Sequence, residues 1–224
     1  MGEKDSRVNM VIRKLVVADF LFWFSPGMLT PVFAVFVLEN IENSKLEMVG
    51  IAFAMYWLAR VLTTVPISRF MDRTRGKKDE FFFLLAGALM WAIVPLFFLL
   101  ATLPIHLYII QFLLGIAGSL QIPAWRILFT YHIDKEKIGY EWSLDDLSVG
   151  VATGTAAFVG SFIASRLGFD YVFVALSAVY LIGAVVVASM YSNISMSEKK
   201  SIKERHKELS LHKKKHIRLK VRGV

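Results

Sequence analysis

The chain has no cysteine among its 224 residues. Disulfides, thiolate metal sites and thiol nucleophiles are thereby excluded. Histidine is scarce too: five residues, at 106, 132, 206, 212 and 216, in expected loops, segment ends or the C-terminal tail. None stands near a serine or an acid at a triad-like spacing inside an apolar segment. The lysines around the last three histidines discourage a metal cation. No enzyme activity, cofactor or metal site is therefore expected. Outside the tail there is also no net charge. Residues 198–224 hold 11 bases and 3 acids, and the rest of the chain balances 15 of each, so the net charge of +8 belongs to the tail. The high isoelectric point describes that tail, and no nucleic-acid partner is expected.

What the chain has in excess is apolar length. It is 56% hydrophobic, with a mean hydropathy of +0.55. A bilayer-spanning helix needs about 20 mostly apolar residues. Six segments meet that length: 15–38, 48–70, 81–101, 105–130, 147–167 and 171–191. Their apolar runs are continuous, unlike the alternating strands of a barrel. The first is too long, and wrongly flanked, for a cleaved signal peptide. An all-α, polytopic membrane protein follows: residues 1–14 as an N-terminal segment, 15–191 as a six-helix domain and 192–224 as a basic tail.

Lysine and arginine in the links set the orientation. Lys4, Arg7, Arg13 and Lys14 precede the first segment. Arg69, Arg73, Arg75, Lys77 and Lys78 cluster around the second link, and Lys135 and Lys137 occupy the fourth. The first link, "ENIENSKLE", has one lysine among its acids, and "TLPIH" has no lysine or arginine. Both termini are therefore expected on the cytoplasmic side of the cell membrane. The basic tail suits either an anionic lipid surface or a solvated segment that enforces topology.

Prolines punctuate the segments. Pro26, Pro31, Pro66, Pro95 and Pro123 are each expected to kink a helix, because the missing N–H frees a carbonyl that neighbouring helices can re-satisfy. Pro104 is expected at a helix start. "WSLDDL" reads as the start of the fifth helix, with Ser143 as N-cap and Asp145 and Asp146 at the positive dipole end.

The second link carries the most specific pattern. Ser68, Phe70, Asp72, Arg73, Gly76, Lys77 and Lys78 resemble the motif between the second and third helices of the major facilitator superfamily. Its form is glycine, spacer, apolar residue, spacer, Asp-Arg, one residue, glycine and two bases. Two departures stand out: serine at the first glycine, and two residues, Thr74 and Arg75, before Gly76. "QFLLGIAGSLQIPAW" resembles the family's fourth helix, and "VGVATGTAAFVGSFIASRLGFDYVF" its fifth and sixth. The resemblance covers residues 15–191 and implies one six-helix half of a transporter, built as two three-helix repeats. In that motif Asp72 would need a basic or helix-N-terminal partner, because a helix C-terminus repels a carboxylate. Proton-coupled exporters of the family often carry an arginine four residues before the glycine at 115, where Gln111 stands here. Their Gly-Pro pair in the fifth helix is also missing, since Thr155 follows Gly154. Proton-driven drug export is accordingly not favoured.

Arg60 is the most informative single residue. It lies about midway along the second segment, where a bare arginine costs at least ~2.5 kcal/mol unless it faces protein, water or a counter-ion. Two readings stand: a structural pair with Asp19, bridging ~6–8 Å of depth at ~1.5 Å per residue, or a polar cavity that meets an anionic group. Gln111, Gly118 and Trp125 share a helix face at a spacing of seven, with Gln121 nearby. Asp19, Arg60, Gln111, Gln121 and Trp125 form the candidate substrate set. Arg126, near a segment end, is read as snorkelling. Gly150, Gly154, Ala157, Ser161 and Ser165 form small-residue stripes suited to close helix packing. The expected function is transport of a small solute by a homodimer of half-size units. The alternatives are a membrane scaffold and the truncated half of a twelve-helix transporter.

Overall fold

The computed structural model describes residues 9–73 and 77–192, with the side chains of Lys77 and Lys78 outside that set. The described chain is helical: α1 Met10–Leu29, α2 Phe33–Asn40, α3 Leu46–Arg73, α4 Lys77–Ile93, a 3-10 helix Val94–Leu100, α5 Pro104–His132, α6 Ile138–Leu167 and α7 Phe169–Ala188. Among the described residues five helical stretches are long and apolar enough to cross a membrane, and six if the α1–α2 pair, bent by 44°, is one span.

The prolines act in different ways. α1, α3 and α5 run through Pro26, Pro66 and Pro123. Pro31 lies in the break between α1 and α2, so the first expected helix is two helices. Pro95 opens the 3-10 helix, so the third is α-helical only to Ile93. Pro104 starts α5 as expected. α1 begins five residues earlier than the apolar run, because the Asn9 side chain accepts a hydrogen bond from the Val11 N–H at 3.0 Å and caps it.

The start of the fifth span requires a larger correction. α6 begins at Ile138, and its N-cap, Lys137, makes no side-chain capping bond. Ser143 lies inside the helix and donates to the Gly139 carbonyl at 2.8 Å. Asp145 is buried, as is Glu141 one turn before it. Glu141 accepts the Asp134 backbone N–H at 3.0 Å and so anchors the preceding turn. The i, i+4 spacing of Glu141 and Asp145 puts both on the buried stripe of α6. Local cap chemistry suggests the opposite role. At the other end of α6, Gly168 takes φ +98° and its N–H closes the helix on Ala164 and Ile163. Glycine adopts that conformation without the Cβ penalty.

Packing gives the domain its symmetry. α3 lies on α5, α5 on α4, α4 on α7, α7 on α1 and α1 on α6, while a lighter α1–α5 contact closes the arrangement. Exchanging α1 with α5, α3 with α6 and α4 with α7 maps these pairings onto one another, while α6 also touches α7 without a comparable α3–α4 contact. That is the pattern of two three-helix repeats. The front of the bundle is α6–α1–α5–α3, with α4 and α7 behind. Glycines allow the closest approaches. A Cβ on Gly160 of α6 would run into the Met28 backbone of α1, and one on Gly115 of α5 into the Tyr56 carbonyl of α3. Interhelical hydroxyls add directional bonds: Thr64 with Ser119 at 2.9 Å, and Ser25 to the Leu176 carbonyl at 2.9 Å.

Two apolar clusters fill the ends of the bundle. One contains Ile12, Leu15, Leu84, Leu128 and Phe129; the other contains Phe36, Leu107, Phe98 and Phe173. In the second, Phe36 meets Phe98 edge-on at 5.7 Å and Phe173 at 4.8 Å, Phe98 stacks on Phe173 at 4.9 Å, and Phe33 joins Phe98 at 6.1 Å. By contrast, only 11% of the most apolar stretch of α3 and 17% of that of α6 are buried, against 50% for α5.

Candidate functional site

A cavity of about 380 Å³ lies where the two clusters meet. Its walls come from α1, α3 and α5, its back from α4, the 3-10 helix and α7, and α6 contributes nothing. It is open to one side, where Trp23 and Trp57 line it yet remain 46% and 58% exposed. Both helix breaks border it, through Thr30 and Phe33 on one hand and Pro95 and Phe98 on the other. A volume of this order suits a small organic ligand.

Four of the five candidate residues meet here. Asp19, Arg60, Gln111 and Gln121 line the cavity. Arg60 projects from α3 with its guanidinium 5.4 Å from the centre of the Trp57 ring, within reach of a cation–π contact. Its Nε is buried without a hydrogen-bond partner. Gly118 on α5 makes room for it: a Cβ there would stand 3.6 Å from Arg60 Cδ and 3.1 Å from the Tyr56 hydroxyl. Among the described residues the Asp19–Arg60 ion pair, one of the two readings of Arg60, is not formed, whereas Lys137 and Asp134 do pair, at 4.0 Å. Asp19 instead has Trp23, Asp145 and Arg126 as its electrostatic neighbours. Arg126 itself is exposed on α5.

Gln121 is buried and accepts the Tyr180 hydroxyl at 2.8 Å. Tyr180 in turn lies between Phe22, at 4.9 Å, and Trp91, at 5.4 Å and nearly parallel. This stack is the back of the cavity, and the Gln121 bond fixes its central ring. Gln111, also buried, makes no side-chain hydrogen bond among the described residues and offers its amide to the cavity.

Trp125 is not a cavity residue. It is 6% exposed, donates from Nε1 to the Leu15 carbonyl at 3.4 Å, stacks on Phe129 at 4.8 Å and meets Trp142 at 6.1 Å. The i+7 spacing gave the correct face of α5 but not the depth. One turn past Gln121, α1 has already closed against α5.

The motif of the second link is only partly described. Ser68 is half-buried on α3, and Asp72 and Arg73 are exposed at its end. Asp72 has no ion-pair or hydrogen-bond partner among the described residues, so the expected partner is not seen. Gly76 and the side chains of Lys77 and Lys78 lie outside the described residues, as does the tail beyond 192. Among the described residues, no group of three or more His, Asp or Glu side chains could hold a metal ion.

Sequence reasoning missed the aromatic lining: Phe22, Trp23, Tyr56, Trp57, Trp91 and Tyr180. A signal existed. Tryptophan and tyrosine favour the ends of membrane helices, whereas Tyr56, Trp57, Trp91 and Tyr180 stand near mid-span.

The fold and cavity together define a polytopic membrane bundle of two inverted-type repeats around a mid-span polar site, the general plan of secondary transporters. The profile described as Major Facilitator Superfamily matches residues 15–222, and the chain belongs to that family. It is a multi-pass membrane protein. It is similar to the multidrug resistance protein MdtG of Klebsiella pneumoniae (strain 342), 23% identical over 188 residues, which are 83% of this chain and 43% of that protein. The same comparison with MdtG of Escherichia coli (strain SMS-3-5 / SECEC) gives 24% over 178 residues, 78% of this chain and 42% of that protein. The chain thus spans less than half the length of these curated relatives.

Proposed function

We propose that the chain transports a small solute through the cell membrane, with both termini cytoplasmic. The Asp19–Arg60 cavity is the solute site, and a second copy supplies the facing bundle. The observation that carries this reading is the open cavity flanked by the least-buried helices. An arginine and an aspartate open to hydrocarbon would be costly, so the front face needs protein or water against it. The small-residue stripe supports the same face. Gly150 and Gly154 have nothing within 4 Å of an added Cβ, and α6 touches α1 through Ala152, Ala156 and Gly160 instead. The stripe therefore remains available to another helix. Enzymatic activity is no part of this reading.

Two experiments test it. In sealed vesicles, Gln111→Cys should react with a membrane-impermeant maleimide added to either side, as alternating access requires. An epitope at the C-terminus should be reached in inside-out vesicles only. Labelling from a single side, with the protein folded, fits a static scaffold and rejects transport. Second, Gly154→Cys, in a chain otherwise free of cysteine, should give an oxidised dimer in native membranes. Val185→Cys, 62% exposed on the rear helix α7, should not. Equal cross-linking at both positions, or none at either, points away from the second copy and toward another chain as the facing bundle.

A further inference from the structure

We infer that the cavity binds an amphipathic organic monoanion, with one oxyanionic group on the Arg60 guanidinium and an apolar, preferably aromatic body against the surrounding rings. This inference rests on the reading of the cavity as the solute site and names the ligand's chemical class.

The argument begins with charge. Arg60 is a cation near the middle of a membrane span. No carboxylate lies within ion-pair distance of it among the described residues, and its buried Nε has no hydrogen-bond partner. A charge held out of water requires a counter-charge. Asp19, across the cavity, is not in the same position, because a carboxyl can shed its charge by taking up a proton and a guanidinium cannot. The uncompensated group in the cavity is therefore the guanidinium.

A guanidinium pairs best with a planar or tetrahedral oxyanion, which can take two parallel N–H donors. The Trp57 ring at 5.4 Å and Gly118 at its flank restrict the side chain, so little ordering remains to be done on binding. The cavity wall sets the ligand charge. Arg60 is the one basic side chain among the described residues that line it, which matches one anionic group and leaves a second without a partner. The body of the ligand follows from the walls. Trp23, Tyr56, Trp57, Trp91 and Tyr180 line the cavity with aromatic surface, and Gln111 offers an amide for one neutral polar substituent. Sugars and other polyhydroxylated solutes would leave most of their hydroxyls facing apolar rings, at the cost of lost hydration.

The full chain in phosphatidylcholine nanodiscs provides the test, by isothermal titration with three probes of one shape: 2-naphthoate, 2-naphthalenemethanol and 2-naphthylmethylammonium. A charge-assisted pair predicts that naphthoate binds at least about tenfold more tightly than the alcohol or the cation. In Arg60→Gln the naphthoate advantage should vanish while alcohol binding stays within about twofold, and Arg60→Lys should retain part of it. If Arg60→Gln fails to fold, the three-probe comparison in the unaltered chain and in Arg60→Lys still decides. Naphthoate binding should persist when half the lipid is phosphatidylglycerol. Its displacement there would identify the anion as a lipid headgroup and overturn the inference. Equal binding of the three probes, or no binding of any, also overturns it. The transport reading would then still stand on two-sided labelling of Gln111→Cys. Conversely, naphthoate selectivity together with one-sided labelling would keep the ligand class and discard transport.

Discussion

Gly160→Leu should leave little or no monodisperse protein after detergent extraction. At this position a Cβ would overlap the Met28 backbone, which cannot turn aside as a flexible side chain can. The only relief is separation of α6 from α1, and with it the loss of the Ala156–Gly27 contact, where an added Cβ already meets Ala156 Cβ at 3.0 Å. Overpacking of a core costs ~1–3 kcal/mol and sometimes more, and a backbone obstacle belongs at the upper end. The matched variant is Gly154→Leu, nearly two turns earlier on the outward side of the same helix, where nothing lies within 4 Å. It should extract and fold as the unaltered chain does, and lose only the dimer, read by cross-linking through a cysteine placed at Gly150 on the same open side. Equal yields for the two variants would show that α6 does not seat on α1 as described.

Trp125→Ala should be the most destabilising single truncation on α5, and it should barely alter the cavity. The indole is buried between Phe129 and Trp142 and donates to Leu15. Removing a buried aromatic costs ~3–5 kcal/mol in soluble cores. Thermal unfolding followed by intrinsic fluorescence should show a marked loss, read as the midpoint in the same detergent. Ligand affinity of the protein that survives should stay within about twofold, because the residue forms no part of the cavity wall. A stable variant with a large affinity loss would instead make Trp125 a cavity residue.

Trp125 also marks how far the sequence could be read. Spans were legible because an unbroken apolar run of about twenty residues matches the hydrocarbon thickness of a bilayer. The broken first span was partly legible, since Pro31 stood in it, but whether a proline kinks a helix or ends it is decided by the neighbouring helices. Arg60, Asp19, Gln111 and Gln121 were legible as polar groups in apolar segments, and the structure brings all four to one cavity. Trp125 was misplaced because helical spacing carries angle and no depth. Ser143 was misread as a cap because "SLDD" is good local cap chemistry, and the burial of Glu141 and Asp145 is set by α1, far away in sequence. The Phe22–Tyr180–Trp91 stack was illegible for the same reason: its rings come from α1, α7 and α4. The relatives are named for multidrug resistance, although this chain has Gln111 where proton-coupled exporters often carry arginine.

The rings of Phe33, Phe36, Phe98 and Phe173 bear on electrical tightness. They close one end of the bundle and carry no heteroatom. A proton crosses a protein along a continuous thread of hydrogen-bonded waters or titratable groups, and an unbroken patch of phenyl edges and faces offers neither. Narrow apolar constrictions of this kind dewet. Three of the four rings ride on the interrupted segments, Phe33 and Phe36 on α2 and Phe98 on the 3-10 helix, so the seal sits on the parts of the backbone least tied to regular helix. Under the proposed transport, a solute passing that end would displace only dispersion contacts between rings.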